Sequence, residues 1–186
     1  MPRSFTSIFK DKSNPKTLKV WSAGCSSGEE PYTISTVLAD FAEKNPGFDY
    51  SIIGTDISTQ ILQKAVDAVY KEDRIQIIPL ETKKKYFLRS KDRSNPTVKV
   101  SPNIRRKVRF GRLNFMDSYY DIPEMFDIVF CRNVLIYFDR ETQEKVIQKL
   151  CMKLKPNGYF FLGHSESIMN MDVPLKQVKP TIFRRV

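Results

Sequence analysis

Metal-binding side chains are scarce in this chain, which has one histidine and three cysteines in 186 residues. Cys25, Cys131 and Cys151 show no paired spacing, and a single histidine cannot complete a zinc site with them. No metal site is expected, and the three thiols read as reduced and mostly buried, in a cytoplasmic protein. Long apolar runs are missing too. Nothing approaches the roughly 18 apolar residues of a membrane span, and Met1 to Lys19 holds no apolar stretch of the secretory type. The dinucleotide fingerprint G-x-G-x-x-G does not occur, and no repeat or low-complexity segment is present.

What is present is 41% hydrophobic residues, enough to fill the core of one domain over residues 1–186. The net charge of +10 is unevenly placed. Between Lys71 and Arg112 stand fourteen Lys/Arg against four acidic residues, and elsewhere the two signs balance. A basic insert over residues 71–107 therefore carries most of the excess. It reads either as a face for an acidic partner, nucleic acid or a carboxylate-rich protein surface, or as a solvated, helix-rich surface.

Around that insert, strand and helix patterns alternate. Leu18-Lys19-Val20-Trp21 predicts a strand that ends in the turn-forming Ala23 to Gly28. A helix follows, with Glu29 and Glu30 at its positive end and Pro31 in its first turn. Ile34, Val37, Leu38 and Phe41 have the spacing of one buried face, and Asn45-Pro46-Gly47 ends the helix. Tyr50 to Thr55 predicts the second strand, closed by Asp56, and Ser58 can cap a second helix running to Val69. Tyr86-Phe87-Leu88 and Thr97 to Val100 predict a small hairpin on the insert. Val108-Arg109-Phe110 resumes the sheet, and Phe126 to Cys131 is apolar enough for a central parallel strand. Asp139 can cap a helix that Pro156-Asn157-Gly158 stops, before a strand over Tyr159 to Gly163 and a last edge strand at Thr181-Ile182-Phe183. The expected architecture is α/β, a mostly parallel sheet with helices on both faces and a small antiparallel insert.

In such a sheet, ligands sit beyond the carboxyl ends of the strands, where strand order reverses. Gly24 and Gly28 allow close backbone approach in the first turn, while Glu29 and Glu30 would repel a pyrophosphate at that helix start. S-adenosylmethionine, which has no phosphate and carries a cationic amino group, suits the loop better than NAD; an ordinary glycine turn is the plainer reading. Asp56 can accept hydrogen bonds from ribose hydroxyls or serve as a helix cap. Asn114 and Phe115 can bracket an adenine edge, or Asn114 can simply stabilise a turn. Arg132 and Asn133 follow a fully apolar strand, and Tyr137 lies four residues beyond Asn133 as either a site residue or a core aromatic.

Trp21-Ser22-Ala23-Gly24-Cys25-Ser26-Ser27-Gly28-Glu29-Glu30-Pro31-Tyr32, Phe130 to Phe138 and Leu162-Gly163-His164-Ser165-Glu166-Ser167 closely resemble the CheR family. These are chemotaxis-receptor glutamate O-methyltransferases, with a Rossmann-like fold and S-adenosylmethionine as cofactor. The resemblance implies that Ala23 and Glu29 border the methionine part of the cofactor and Asp56 holds its ribose. It also implies that Asn114 and Phe115 meet the adenine, and that Arg132, Asn133 and Tyr137 line the transfer centre, with Arg132 and Tyr137 as the catalytic pair. His164, Ser165 and Glu166 are expected to be supporting rather than reacting groups. The implied partners are glutamate-rich cytoplasmic receptor helices docked on the basic insert by a monomeric enzyme, with no nucleic acid and no membrane insertion. Family members usually begin with a small helical domain and an Asn-x-Thr-x-Phe-Phe-Arg stretch. Met1-Pro2-Arg3-Ser4-Phe5 retains at most Arg3 of that stretch, and the helical domain is not expected in this chain. Two rivals stay open: a nucleic-acid methyltransferase, and a non-catalytic cofactor-binding module. Against the first, the Asp/Asn-Pro-Pro-Tyr/Phe element typical of base methylation is replaced by Arg132-Asn133-Val134-Leu135.

Overall fold

The computed structural model describes residues 17–186; the readings made above for residues 1–16, Arg3 included, lie outside them. The chain opens with β1 (Leu18–Ala23), α1 (Glu29–Lys44), β2 (Tyr50–Asp56) and α2 (Thr59–Asp67). An insert follows, made of β3 (Val69–Lys71), α3 (Leu80–Tyr86), β4 (Phe87–Arg89), β5 (Thr97–Val100) and α4 (Pro102–Arg105). The alternation resumes with β6 (Val108–Arg112), β7 (Phe126–Cys131), α5 (Arg140–Met152) and β8 (Leu154–Leu162), then β9 (Leu175–Lys179) and β10 (Ile182–Arg185).

The main sheet has the order β6-β2-β1-β7-β8-β10-β9. Its first five strands are parallel, and β10 runs antiparallel to both β8 and β9. Strand order reverses between β1 and β7, which fixes the place of a ligand crevice. β1 is buried on both faces because alternate side chains enter different cores. Val20 packs with Tyr32, Leu38 and Ile52 on the α1 side, while Trp21 and Ala23 pack with Val146, Ile147 and Leu150 of α5. This is the Rossmann-like α/β arrangement expected.

Several elements depart from the sequence pattern, each for a local reason. Val37 is 62% exposed and so is not on the buried face of α1, while Ile34 is half-buried and packs against the edge of that core and Phe41 is half-buried. The fully buried residues are Pro31, Tyr32, Ser35, Thr36 and Leu38. Ser35 is tolerated there because its hydroxyl lies 3.0 Å from the Tyr50 hydroxyl, which donates to the Ser35 carbonyl at 2.9 Å. Val69 is not the end of the second helix: Ala68 turns left-handed (φ 55°) as the C-cap of α2, and Val69 starts β3. The hairpin is therefore part of a three-stranded antiparallel sheet with β5 in the middle. Pro156-Asn157-Gly158 does not precede the following strand but lies inside β8, where the pairing with β7 shifts register. β10 is not at the edge; the exposed β9 is.

The basic excess is partly neutralised by neighbouring acids. Lys85 lies 2.8 Å from Asp40 and 2.6 Å from Glu43, tying α3 to α1. Arg89 pairs with Glu72, and Arg109 with Glu124. Lys91, Arg93 and Lys99 are exposed and make no ion pair among the described residues. No helix among the described residues is long and apolar enough to cross a membrane.

All three thiols are free and buried. Burial, helped by the nearby Asp56 carboxylate, pushes the Cys25 thiol up to about 12; burial does the same to Cys151 and to the Tyr32 hydroxyl. These groups are held protonated by folding, so the stability they contribute is complete below their ordinary values. It is lost as pH rises from about 9 through about 12. Urea midpoints measured across that window are expected to fall, and a flat profile would contradict the burial of these groups.

Candidate active site

The carboxyl ends of β2, β1 and β7 stand level, because Ala23 is in register with Thr55 on one side and Cys131 on the other. The chain leaves β1 through Gly24 at φ 78°, a left-handed turn that suits glycine. Its turn is anchored on β2: the Gly24 and Cys25 amides both donate to the Thr55 carbonyl, at 2.8 and 2.9 Å. Asp56 completes the anchor. Its Oδ2 accepts from the Ser26 amide at 2.9 Å and its Oδ1 from the Ser58 amide at 3.1 Å, leaving a further lone pair on each oxygen. The cap of α2 is Ser58 itself, which accepts from the Ile61 amide.

A cleft of about 710 Å³ opens over these strand ends. Its floor is Gly24, Cys25 and Ser26, and one wall carries Glu29, Glu30 and Asp56. Ile57, Leu113, Asn114, Phe115 and Met116 form an apolar side with one amide, and Arg132 to Val134 with Tyr137 and Phe138 close the other. Seven of the eight residues singled out from sequence thus line one cavity: Glu29, Asp56, Asn114, Phe115, Arg132, Asn133 and Tyr137. Ala23 does not. It is 1% exposed and packs in the α5-side core, one residue short of the cleft lining that begins at Gly24.

The site residues are held in different ways. Asn114 both lines the cleft and accepts the Met116 amide at 3.0 Å, so it also stabilises its turn. Phe115 packs edge-on against Phe138, with centroids 6.4 Å apart. Arg132 donates to Glu30 at 3.0 Å, and Glu30 in turn accepts from the Ser22 hydroxyl at 2.9 Å. A guanidinium has five N–H donors, so this pair leaves Arg132 with donors for a second anion. Tyr137 stands at the mouth in a 3₁₀ turn over Leu135–Tyr137 and is 79% exposed, so it is not a core aromatic. Glu30 was legible only as a helix-start acid, since pairing with Arg132 joins residues 102 apart. The wall carries three carboxylates and no phosphate-cradling glycine loop, a chemistry that repels phosphates and suits an ammonium group and ribose hydroxyls.

The fold is that of the S-adenosylmethionine-dependent methyltransferases. Among solved structures, the glycopeptide N-methyltransferase MtfA complexed with sinefungin superposes with a TM-score of 0.51. That similarity covers 92% of this chain and 53% of that one at 12% identity. Residues 5–183 match the family described as CheR methyltransferase, SAM binding domain, and the chain belongs to that family. The chemotaxis protein methyltransferase of Borreliella burgdorferi is 38% identical over 169 residues, 90% of this chain and 58% of that protein. That of Salmonella typhimurium is 37% identical over 153 residues, 82% of this chain and 53% of that protein. The chain spans a little over half the length of these curated relatives.

Proposed function

We propose that this domain transfers a methyl group from S-adenosylmethionine to glutamate side chains of chemotaxis receptors, in the cytoplasm, giving methyl esters. The observation that carries the reading is the acid-walled cleft at the β1–β7 switch point, in a chain of the CheR family. Glu29 at the start of α1 would meet the cofactor's amino group and Asp56 its ribose. Phe115, Leu113 and Ile57 offer apolar faces to the base. When bound, the cofactor supplies an electrophilic methyl on a positively charged sulfur.

A glutamate carboxylate is already a nucleophile, so no group of the protein has to remove a proton first. The chain's residues would have only to hold that carboxylate in line with the methyl, the cofactor's sulfur being the group that would leave with the electron pair. What the protein contributes is alignment. Arg132, fixed from below by Glu30, would hold a carboxylate of the cofactor or the incoming glutamate, and Tyr137 would orient it at the mouth. Transfer of labelled methyl to an acidic receptor fragment, but not to RNA, is the direct assay.

Docking of the acidic receptor helices is supported by the unpaired cations of the insert. Lys83, Lys84 and Lys85 are a run of three consecutive cations in the insert, but Lys85 is engaged by Asp40 and Glu43, so reversing it would also loosen α3. Lys91, Arg93 and Lys99 are the cleaner set. Reversing these three to glutamate is expected to weaken binding of a receptor fragment and flatten its salt dependence. An unchanged salt slope would remove the insert from the docking surface.

A further inference from the structure

The loop between β7 and α5 carries Arg132, Asn133 and Tyr137, and its first three free amides, those of Asn133, Val134 and Leu135, are bonded from another strand end. Asn133 takes a left-handed conformation (φ 59°) and Val134 a right-handed one (φ −119°, ψ −42°). Successive residues of opposite hand turn their amides to the same side, forming a concave nest for an anion. The anion here is a side chain from another strand end. Glu166 Oε2 accepts from the Asn133 amide at 3.1 Å, and Oε1 from the Val134 and Leu135 amides at 2.9 and 2.8 Å. The Gly163 amide adds a fourth donor to Oε2, at 2.7 Å. Space for this is made by Gly163 itself: a Cβ there would stand 2.6 Å from Asn133 Oδ1 and 2.9 Å from Glu166 Oε2.

The geometry points to Glu166 as the positioning residue of the cleft, the built-in anion that sets where Arg132, Asn133 and Tyr137 stand. Its consequence for ligand binding rests on the methyltransferase reading above; the clasp itself does not. The chemistry separates this role from simple packing. Glutamine has the size and shape of glutamate but offers one acceptor oxygen. Because each carboxylate oxygen serves two amides, either orientation of the glutamine side chain sets its NH₂ against two N–H donors. A residue that merely filled space would tolerate the change. A residue that holds the loop would not.

The experiment uses the chain with Glu166→Gln and Glu166→Asp, read by amide hydrogen exchange and by calorimetry with S-adenosylhomocysteine. In E166Q, exchange at Asn133, Val134, Leu135 and Gly163 is expected to accelerate while the β1 and β7 amides keep their protection. Affinity is expected to fall several-fold, up to about tenfold, because these partly exposed amides lose a charged acceptor and face an NH₂ group. E166D keeps two acceptor oxygens on a shorter arm and is expected to fall between wild type and E166Q. Wild-type affinity and protection in E166Q would overturn the proposal. So would an equal loss of protection throughout the sheet in both variants, the signature of a general structural role. Should the unmodified protein bind no S-adenosylhomocysteine, the methyltransferase reading fails, and the exchange pattern alone decides the role of Glu166.

Discussion

Replacing Gly24 with alanine is expected to abolish ligand binding and lower the melting temperature by roughly 4–20 °C. Two costs add. Gly24 sits at φ 78°, a region where an L side chain is strained by roughly 1–2 kcal/mol. An added Cβ would also stand 2.4 Å from Val134 Cγ2, an overlap that costs about 1–3 kcal/mol to relieve. Relief must come from the turn after β1 or from the loop after β7, and both line the cleft. The damage therefore falls on the site as well as on stability. Gly111→Ala is the control: nothing lies within 4 Å of a Cβ there, and little change is expected. Thermal melts and calorimetry on the pair check this, and similar behaviour of the two variants would contradict the tight contact between the two loops.

Arg132→Ala and Tyr137→Phe are expected to keep the fold and impair methyl transfer. Tyr137 is largely exposed in a short turn, so removing its hydroxyl leaves the melting temperature unchanged. The Arg132–Glu30 pair is partly exposed, and such pairs contribute only about 0–1 kcal/mol to stability. Alignment is a different matter, because misplacing a reacting group by an ångström can cost roughly a hundredfold in rate. A loss of that order is expected for Arg132→Ala and a smaller one for Tyr137→Phe. Arg132→Lys should recover little, since a point charge cannot bond Glu30 and a second anion in one plane as the guanidinium fork does. Labelled-methyl transfer to a receptor fragment measures all three. Wild-type rates in Arg132→Ala and Tyr137→Phe would remove both residues from the reaction.

Much of this site was legible because its residues sit at strand ends, where a change from apolar to polar marks the exit from the sheet. Cys131-Arg132-Asn133 and Thr55-Asp56 are such places, and the glycine turn before Glu29 is another. Contacts between distant segments were not legible. The Ser22–Glu30–Arg132 chain and the Glu166 clasp join residues with nothing in local sequence to pair them. The fold was misread wherever burial and hydrophobicity part company. Ser35 is buried because Tyr50 satisfies it, Val37 is exposed although apolar, and β9 is too polar and exposed to stand out. Val69 followed the apolar spacing of α2, but the left-handed turn at Ala68 had already ended that helix.

The ligand proposed for the cleft is a nucleoside without phosphates, held by carboxylates across the ends of β2, β1 and β7. Isothermal calorimetry with S-adenosylhomocysteine, NAD and ATP tests this directly. Binding of S-adenosylhomocysteine alone, lost on Asp56→Ala, is the predicted result. Binding of NAD or ATP with no affinity for S-adenosylhomocysteine would contradict it.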